Sequence, residues 1–255
     1  MIKKAIKSIL LLGVIILLNA CASKENIVYF QEIERGMVND TLINFEPKIQ
    51  IRDILAINVS AIDGEAAMPF NLYETPLVGN SANNPKPLNY MVDVDGNIHF
   101  PVIGKLKIGG LTTKQLNEKL TLILGDYIKN PIINIQLTNF KITVLGQVKS
   151  PGTYAVPNER ISILDAIGLA GDLEIHGKRK TVMLIREQNG QRMFVNIDLT
   201  NKQLFSSPYF YLSQNDVIYV EPNNAQVNAS AVGANTGVIM GSISILLSII
   251  TIFLI

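Results

Sequence analysis

The sequence predicts an α+β protein of two small mixed-sheet domains, with a transmembrane helix at the C-terminal end. Strand patterns and two amphipathic helix patterns alternate along the middle of the chain, in the order strands, helix, strands, helix, strands. An apolar run without charged residues occupies residues 236–255. With 255 residues, the chain has room for two small domains and an apolar segment at each end.

The N-terminus has the pattern of a lipoprotein signal peptide. Three lysines lie within the first seven residues, and residues 9–18 form an apolar region too short to span a bilayer comfortably. The sequence LNAC follows and resembles a bacterial lipobox, so cleavage after residue 20 would leave Cys21 as the lipid-attachment site. The alternative is an uncleaved anchor helix. Because Cys21 is the only cysteine, the chain has no intrachain disulfide.

The charge balance argues against nucleic acid as a partner. The chain has 22 basic and 21 acidic residues, and loss of residues 1–20 would remove three lysines and leave a formal charge of about −2. A nearly neutral protein has no strong electrostatic attraction to a phosphate backbone. We therefore expect no nucleic-acid partner.

The first part of the middle region predicts a strand, a long loop and a hairpin. Apolar alternation favours a strand over residues 49–61, in which Asp53 marks a bulge or turn. Residues 63–88 have no sustained period and predict an exposed loop. Residues 90–94 and 97–100 flank an Asp-Gly turn and predict a hairpin. The same turn resembles the start of a calcium loop, but the later acidic ligands are absent.

A helix should follow the hairpin. Thr112 and Gln115 have the spacing of a capping box, and the helix should stop near Asn130-Pro131. Its apolar face is predicted to consist of Leu116, Leu120, Ile123 and Tyr127.

The second part of the middle region predicts six strands and one helix. The helix begins at Ser162, with Asp165 at the capping-box spacing, and ends at Gly171-Asp172. An Asn189-Gly190 turn joins two of the strands. The predicted strands are residues 132–137, 140–148, 154–156, 181–186, 192–198 and 216–220.

Catalytic chemistry has few candidate residues in this chain. The two histidines, His99 and His176, lie in a predicted strand and a predicted loop, and they form neither a metal-site nor a Ser-His-Asp pattern. Gly109-Gly110 lacks the lysine that follows the glycines of a phosphate-binding loop. We therefore expect no enzyme activity, no metal and no cofactor, and a protein that acts through its surfaces and its assembly.

Two stretches together resemble a known family. MVDVDGNIHFPVIGKLKIGGLTTKQLNEKL, followed by NPIINIQL, is similar to the export domain of outer-membrane capsule and exopolysaccharide export lipoproteins of the Wza type. ITVLGQVKSPGTYAVPNERISILDAIGLAGDL resembles the β-grasp SLBB module of the same family. The boundaries expected from this resemblance are 1–20 for the signal peptide, 21–47 for the lipid-anchored segment, 48–139 for the export domain, 140–222 for the SLBB domain, 223–235 for a linker and 236–255 for the transmembrane helix.

The resemblance implies a ring of identical subunits, an octamer in this family, at the periplasmic face of the outer membrane. It implies contact with outer-membrane lipid, polysaccharide as the cargo, and an inner-membrane polysaccharide co-polymerase with a tyrosine kinase as the partner. The chain departs from the family pattern at Arg52-Asp53, where Gly-Asp is commoner, and it has one SLBB copy, which predicts a short periplasmic cylinder. Its C-terminal helix is also less polar than a pore-lining helix.

The predicted transmembrane helix has a stripe of small residues. Twenty residues of helix are about 30 Å long, roughly one hydrocarbon core. Two interpretations of the stripe remain open: a dry packing seam between helices, which small residues and hydroxyls favour in lipid, or the moderately polar wall of a pore. Either indicates that the helix has neighbours, most simply copies of itself. The stripe consists of Gly237, Gly241, Ser244, Ser248 and Thr251.

Two functions are therefore compared. The leading hypothesis is a non-enzymatic subunit of an outer-membrane translocon that exports capsular or extracellular polysaccharide through an oligomeric ring. The alternative is a lipid-anchored periplasmic scaffold that binds a glycan or a protein and uses the C-terminal helix as a second anchor.

Overall fold

The computed structural model describes residues 26–31, 45–73, 87–188 and 190–231, together with 237–238, 241–242, 244–246 and 248–249 of the tail. The strands are β1 (Ile54–Ser60), β2 (Tyr90–Met91), β3 (Asn97–Phe100), β4 (Gly104–Lys107), β5 (Ile132–Leu137), β6 (Lys141–Gly146), β7 (Gly152–Ala155), β8 (Val182–Gln188), β9 (Gln191–Ile197) and β10 (Val217–Val220). The helices are α1 (Gly64–Ala67), α2 (Thr113–Leu124), α3 (Ile163–Leu169) and α4 (Asn224–Ala231), with 3₁₀ turns at Met68–Phe70 and Lys202–Ser206.

These elements form two units, as the α+β prediction required. The first unit contains the antiparallel sheet β2-β1-β5, the hairpin β3-β4 and helix α2, which packs on β5. The second contains the mixed sheet β7-β6-β10-β8-β9 and helix α3, which packs on β6. In that sheet β6 and β10 are parallel, and the other neighbours are antiparallel. One contiguous apolar core runs through both units.

Helix α2 begins as the sequence predicts and ends earlier. The Thr112 side chain accepts the N–H of Gln115, and the Gln115 side chain accepts the N–H of Thr112. The predicted capping box is therefore confirmed. The helix ends at Leu124 with Gly125 as its C-cap, six residues before the predicted stop near Asn130. Leu124 therefore takes the buried position expected for Ile123, and Tyr127 is 58% exposed.

The predicted hairpin over residues 90–100 is wrong, although its turn exists. Tyr90 pairs with Leu55 of β1, and β3 pairs with β4 instead. The Asp93 carboxylate accepts the N–H groups of Asp95 and Asn97, at 2.9 and 2.7 Å, and closes the turn locally. An Asp-Gly turn usually joins two paired strands. Here the Asp93 side chain helps to close the turn, and the strands on its two sides pair with other strands.

The predicted strand over residues 49–61 is interrupted at Arg52 and Asp53. Arg52 has φ 70°, a left-handed conformation that favours glycine. The Asp53 carboxylate accepts the N–H of Gln50 at 2.7 Å, and β1 starts at the next residue. The predicted bulge or turn at Asp53 is confirmed, and within the predicted strand only the residues that follow it, those of β1, form a strand.

The predicted loop over residues 63–88 is partly helical. Asp63 caps α1 by accepting the N–H groups of Glu65 and Ala66, and the 3₁₀ turn follows and buries Phe70. Asn71 exchanges hydrogen bonds with the backbone of Val59 and fastens this segment to β1. Residues 74–86 lie outside the described residues.

The second unit follows its predicted elements closely. Ser162 and Asp165 form the capping box of α3, and Gly171 and Asp172 both have positive φ just after it. β8 and β9 pair along their whole length from Val182 opposite Ile197, and Gly190 in the connection has φ 74°. Asn189 lies outside the described residues.

The C-terminal tail is described in part. The described residues between 237 and 249 have helical backbone, and the rest of residues 236–255 lies outside the described residues. Within the described portion of the chain, no helix combines the length and the apolar character needed to cross a membrane.

Candidate functional site

The structure covers some of the predicted site residues. Cys21 and Thr251 lie outside the described residues. Gly237, Gly241, Ser244 and Ser248 are helical and exposed. A side chain built at either glycine would meet nothing within 4 Å, so this face has free space in the single chain. Whether it forms a seam or a pore wall stays a prediction.

Serine hydroxyls of the tail are bonded along its own helix. The Ser248 hydroxyl donates to the carbonyl of Ser244 at 2.9 Å, and the Ser242 hydroxyl donates to the carbonyl of Val238. Bonding of this type satisfies the hydroxyl inside the helix and lowers the cost of placing serine in an apolar surrounding.

A short N-terminal segment, residues 26–31, docks on the second unit. The N–H of Gln31 donates to the carbonyl of Thr200 at 2.9 Å, and the Tyr29 hydroxyl donates to the Asp172 carboxylate at 2.5 Å. The Phe30 ring lies 5.3 Å from that of Phe205. Backbone, polar and aromatic contacts together hold this segment against the residues that follow β9 and α3.

Tyr29 also covers a buried arginine. The guanidinium of Arg179, a residue that is 5% exposed, lies 5.3 Å from the centre of the Tyr29 ring. Burial and the bond to Asp172 raise the pKa of Tyr29 above its ordinary value, because both disfavour the phenolate. Tyr29 therefore remains a neutral hydrogen-bond donor at physiological pH.

A cavity of about 650 Å³ separates the docked segment from the start of α4. We call it the terminal cavity, because it lies between the N-terminal segment 26–31 and the start of α4. Its walls come from Asn26 and Ile27, from residues 175–181, and from residues 223–225.

The two units meet at the opposite end of the second sheet. The N–H of Leu137 in β5 donates to the carboxylate of Glu159, and the Gln214 amide donates to the carbonyl of Asn139 at 2.7 Å. A second cavity, of about 540 Å³, lies between residues of the first unit and the tip of the β8-β9 hairpin. Its lining of mixed charge includes Lys48, Asp95, Lys107 and Glu187.

Asp53 is a buried carboxyl at this junction. It is 1% exposed, and burial raises its pKa to about 6, with a further contribution from the negative charge of Glu159. The Gln50 N–H opposes that rise but does not cancel it. The folded protein therefore retains a proton on Asp53 at pH values where the unfolded chain has lost it.

Asp53→Asn should change how stability depends on pH. Because the pKa of Asp53 is raised on folding, its favourable contribution is complete below pH 4 and disappears as pH rises through about 6. The variant should lose this slope, and at pH 7 its free energy of unfolding should exceed that of the wild type by up to about 3 kcal/mol, which raises its unfolding temperature. Thermal unfolding from pH 4 to 7.5 measures the difference. Asp126→Asn, at an exposed position, is the matched control, and equal pH slopes in the two variants would contradict the assignment.

Sequence reasoning missed the docking of residues 26–31. The signal was present as a short apolar run that ends in two aromatic residues, Tyr29 and Phe30, before the first strand. Their partners, Asp172, Arg179 and Phe205, are distant in sequence, so no local pattern links them. Among the described residues, no cluster of His, Cys, Asp or Glu has a metal-binding arrangement.

Comparison with known proteins gives two adjacent matches. Residues 44–138 match the family model "Polysaccharide biosynthesis/export protein", and residues 140–220 match the SLBB domain. The chain is 24% identical over 149 residues to the EPS I polysaccharide export outer membrane protein EpsA of Ralstonia solanacearum, covering 57% of this chain and 39% of the relative. It is 22% identical over 141 residues to EpsA of Ralstonia nicotianae (strain ATCC BAA-1114 / GMI1000), covering 54% of this chain and 36% of the relative. The match thus spans less than two fifths of either relative.

Proposed function

We propose that this chain is a subunit of an outer-membrane complex that exports capsular or extracellular polysaccharide. The observation that carries the proposal is the ordered pair of domains, an export domain over residues 44–138 and an SLBB domain over residues 140–220. The function is transport without catalysis, in keeping with the family's description as export proteins and the relatives' names.

The proposed assembly is a ring of identical chains. Each chain is anchored through an acylated Cys21, holds its two domains in the periplasm, and crosses the outer membrane with residues 236–255. Polysaccharide passes through the ring, and an inner-membrane co-polymerase docks on the periplasmic end. We propose domain limits of 48–139 and 140–222, an anchored segment at 21–47 and a linker at 223–235.

The position of the chain ends supports this orientation. β6 and β10 run in parallel away from the junction with the first unit, over about 20 Å, and α4 and the docked N-terminal segment lie at their far end. Five Cα–Cα steps lead from Cys21 to Asn26, so the Cα atoms of these two residues are at most about 18 Å apart. A lipid on Cys21 and the tail after α4 would therefore reach the membrane from the same end of the SLBB domain, with the export domain farther away.

Replacing Gly237 and Gly241 together by leucine should disrupt the ring and stop export. Two added isobutyl groups on the small-residue face would hold neighbouring helices apart, where close approach otherwise stabilises their packing. The expected result is loss of the ring mass in mild detergent and of at least about nine tenths of the surface polysaccharide. Single-particle imaging and an immunological assay of surface polysaccharide measure the two effects.

Val238→Leu with Ser242→Leu is the matched control, because it has the same spacing and lies about 100° around the helix. It should leave both the ring and export intact. Unchanged rings and export in the Gly237, Gly241 variant would contradict the packing role of this face.

Imaging the full chain beside a chain that lacks residues 236–255 tests the function itself. Rings with an axial opening, which weaken or leave the membrane on truncation, are the expected result. Monomers in both samples would contradict the export ring and favour the alternative, a lipid-anchored scaffold whose SLBB domain binds a glycan or a protein.

A further inference from the structure

The terminal cavity has a positively charged lining. Lys178, Arg179 and Lys180 contribute to it together with His176, and none of its lining residues is acidic. Lys178 is paired with Glu221 at 2.8 Å. In the described part of the chain, no carboxylate lies within 4.0 Å of the charged nitrogens of Arg179 or Lys180. Two positive charges at the cavity are therefore not neutralised by these residues.

Of these two positive charges, that of Arg179 is buried and has the greater need of a hydrogen-bond acceptor or an anion nearby. One terminal nitrogen donates to the carbonyl of Gly177 at 3.1 Å, and the Nε hydrogen has no acceptor among the residues that the structure describes. Carbonyl groups and the Tyr29 ring orient the guanidinium but do not cancel its charge. The Asp172 carboxylate is bonded to the Tyr29 hydroxyl and lies beyond salt-bridge distance of this guanidinium, so an anion bound in the cavity would further stabilise the buried charge.

The walls of the cavity are rigid backbone. The N–H of Lys178 donates to the carbonyl of Glu221 at 2.9 Å, and the N–H of Asn223 donates to the carbonyl of His176 at 2.8 Å. Gly177 fits between these bonds because a side chain there would lie 2.9 Å from the carbonyl oxygen of Gln147. The backbone that carries the basic side chains is therefore held in place by hydrogen bonds to the residues that follow β10.

Helix α4 directs its N-terminus toward the same cavity. Asn223 caps it, accepting the N–H of Gln226 at 3.0 Å, whereas the N–H groups of Asn224 and Ala225 have no acceptor among the described residues. Both Asn224 and Ala225 line the cavity. Unpaired N–H groups and the helix dipole favour an anion at this position.

We propose that the terminal cavity binds the phosphate group of an anionic phospholipid. Phosphate matches the basic side chains and the helix N-terminus, since it accepts several charge-assisted hydrogen bonds at once. The lipid source rests on the proposed function, which brings this end of the SLBB domain to the membrane. Ile175, which is 57% exposed at the rim, adds an apolar contact for the acyl region.

The test measures lipid binding by the full-length protein in a neutral detergent. Native mass spectrometry would follow titration with dihexanoyl phosphatidylglycerol, with dihexanoyl phosphatidylcholine, and with inorganic phosphate. Lys180→Glu should weaken phosphatidylglycerol binding about tenfold, because it reverses one charge at the cavity. Lys141→Glu makes the same change at an exposed position at the other end of the second sheet and should leave binding unchanged.

Each outcome has one meaning. Preference for phosphatidylglycerol, lost in Lys180→Glu and kept in Lys141→Glu, supports the site. Equal binding of inorganic phosphate, with the same dependence on Lys180, overturns the lipid as the source and leaves a phosphate site. Equal affinity for phosphatidylcholine, or equal loss in both variants, overturns the site. Because neither ring formation nor export is needed for the measurement, a failure of the proposed function would appear separately in the imaging experiment.

Discussion

Gly146→Ala should destabilise the protein by more than about 3 kcal/mol and lower its melting temperature by roughly 10 °C. Gly146 ends β6 opposite Val220 of β10 and has φ 90°. A side chain there would lie 2.0 Å from the carbonyl oxygen of Val220, which also accepts the N–H of Gln147 at 2.9 Å. Since the obstacle is backbone at the shared end of β6 and β10, it cannot rotate away, and these two parallel strands must separate there.

Gly104→Ala is the matched control for this prediction. Gly104 has φ 85°, nearly the same conformation, but a side chain there would meet nothing within 4 Å. The control should therefore show only the conformational cost, about 1 to 2 kcal/mol. Far-UV circular dichroism during heating compares the two. Equal losses would mean that backbone conformation alone, and not the contact with Val220, decides the effect.

Local signals predicted both longer helices of the domains well. Thr112 with Gln115, and Ser162 with Asp165, satisfy the first backbone N–H groups from within four residues, so the sequence alone specifies where α2 and α3 begin. Gly190 specifies the connection of β8 to β9 in the same local way. Short-range chemistry therefore accounts for the elements that were correctly predicted.

The errors arose where pairing is non-local. Tyr90 has the same strand pattern whether it pairs with the end of the strand at residues 97–100 or with Leu55, 35 positions earlier, and burial against β1 decided between them. The Asp93 side chain and two backbone hydrogen bonds, between Asp93 and Asn97 and between Gly96 and Asp93, meanwhile closed the turn locally. A turn motif thus predicts a reversal of the chain, but not the partner of the strand that precedes it.

The candidate site was even less predictable from sequence. The terminal cavity combines residue 26, residues 175–181 and residue 224, which come together only because the end of β10 lies beside both the docked segment 26–31 and the start of α4. Lys178, Arg179 and Lys180 look like a solvated basic run in the sequence, whereas the structure buries Arg179. The anchor predicted at Cys21 and the stripe beginning at Gly237 could be predicted because they are linear patterns in the sequence.

Arg186→Met should destabilise the second unit by about 3 to 5 kcal/mol. Arg186 in β8 donates from Nε and a terminal nitrogen to the Asp216 carboxylate, at 3.0 and 2.6 Å. Asp216 is fully buried and also accepts the N–H of Ser213 at 2.7 Å. Removing the arginine leaves that carboxylate without a counter-ion inside the core, which is the origin of the cost.

The double variant Arg186→Met with Asp216→Asn should recover at least about 2 kcal/mol of that loss. Asparagine at position 216 removes the buried negative charge and retains an acceptor for the Ser213 N–H. The losses of stability caused by the two changes are therefore not additive. Chemical unfolding of the four proteins of this cycle gives the coupling. Arg192→Met is the control, because Arg192 pairs with Glu187 at an exposed position and should cost less than about 1 kcal/mol. A double variant as unstable as the sum of its parts would mean that Arg186 acts by packing against the core, with its charge contributing little.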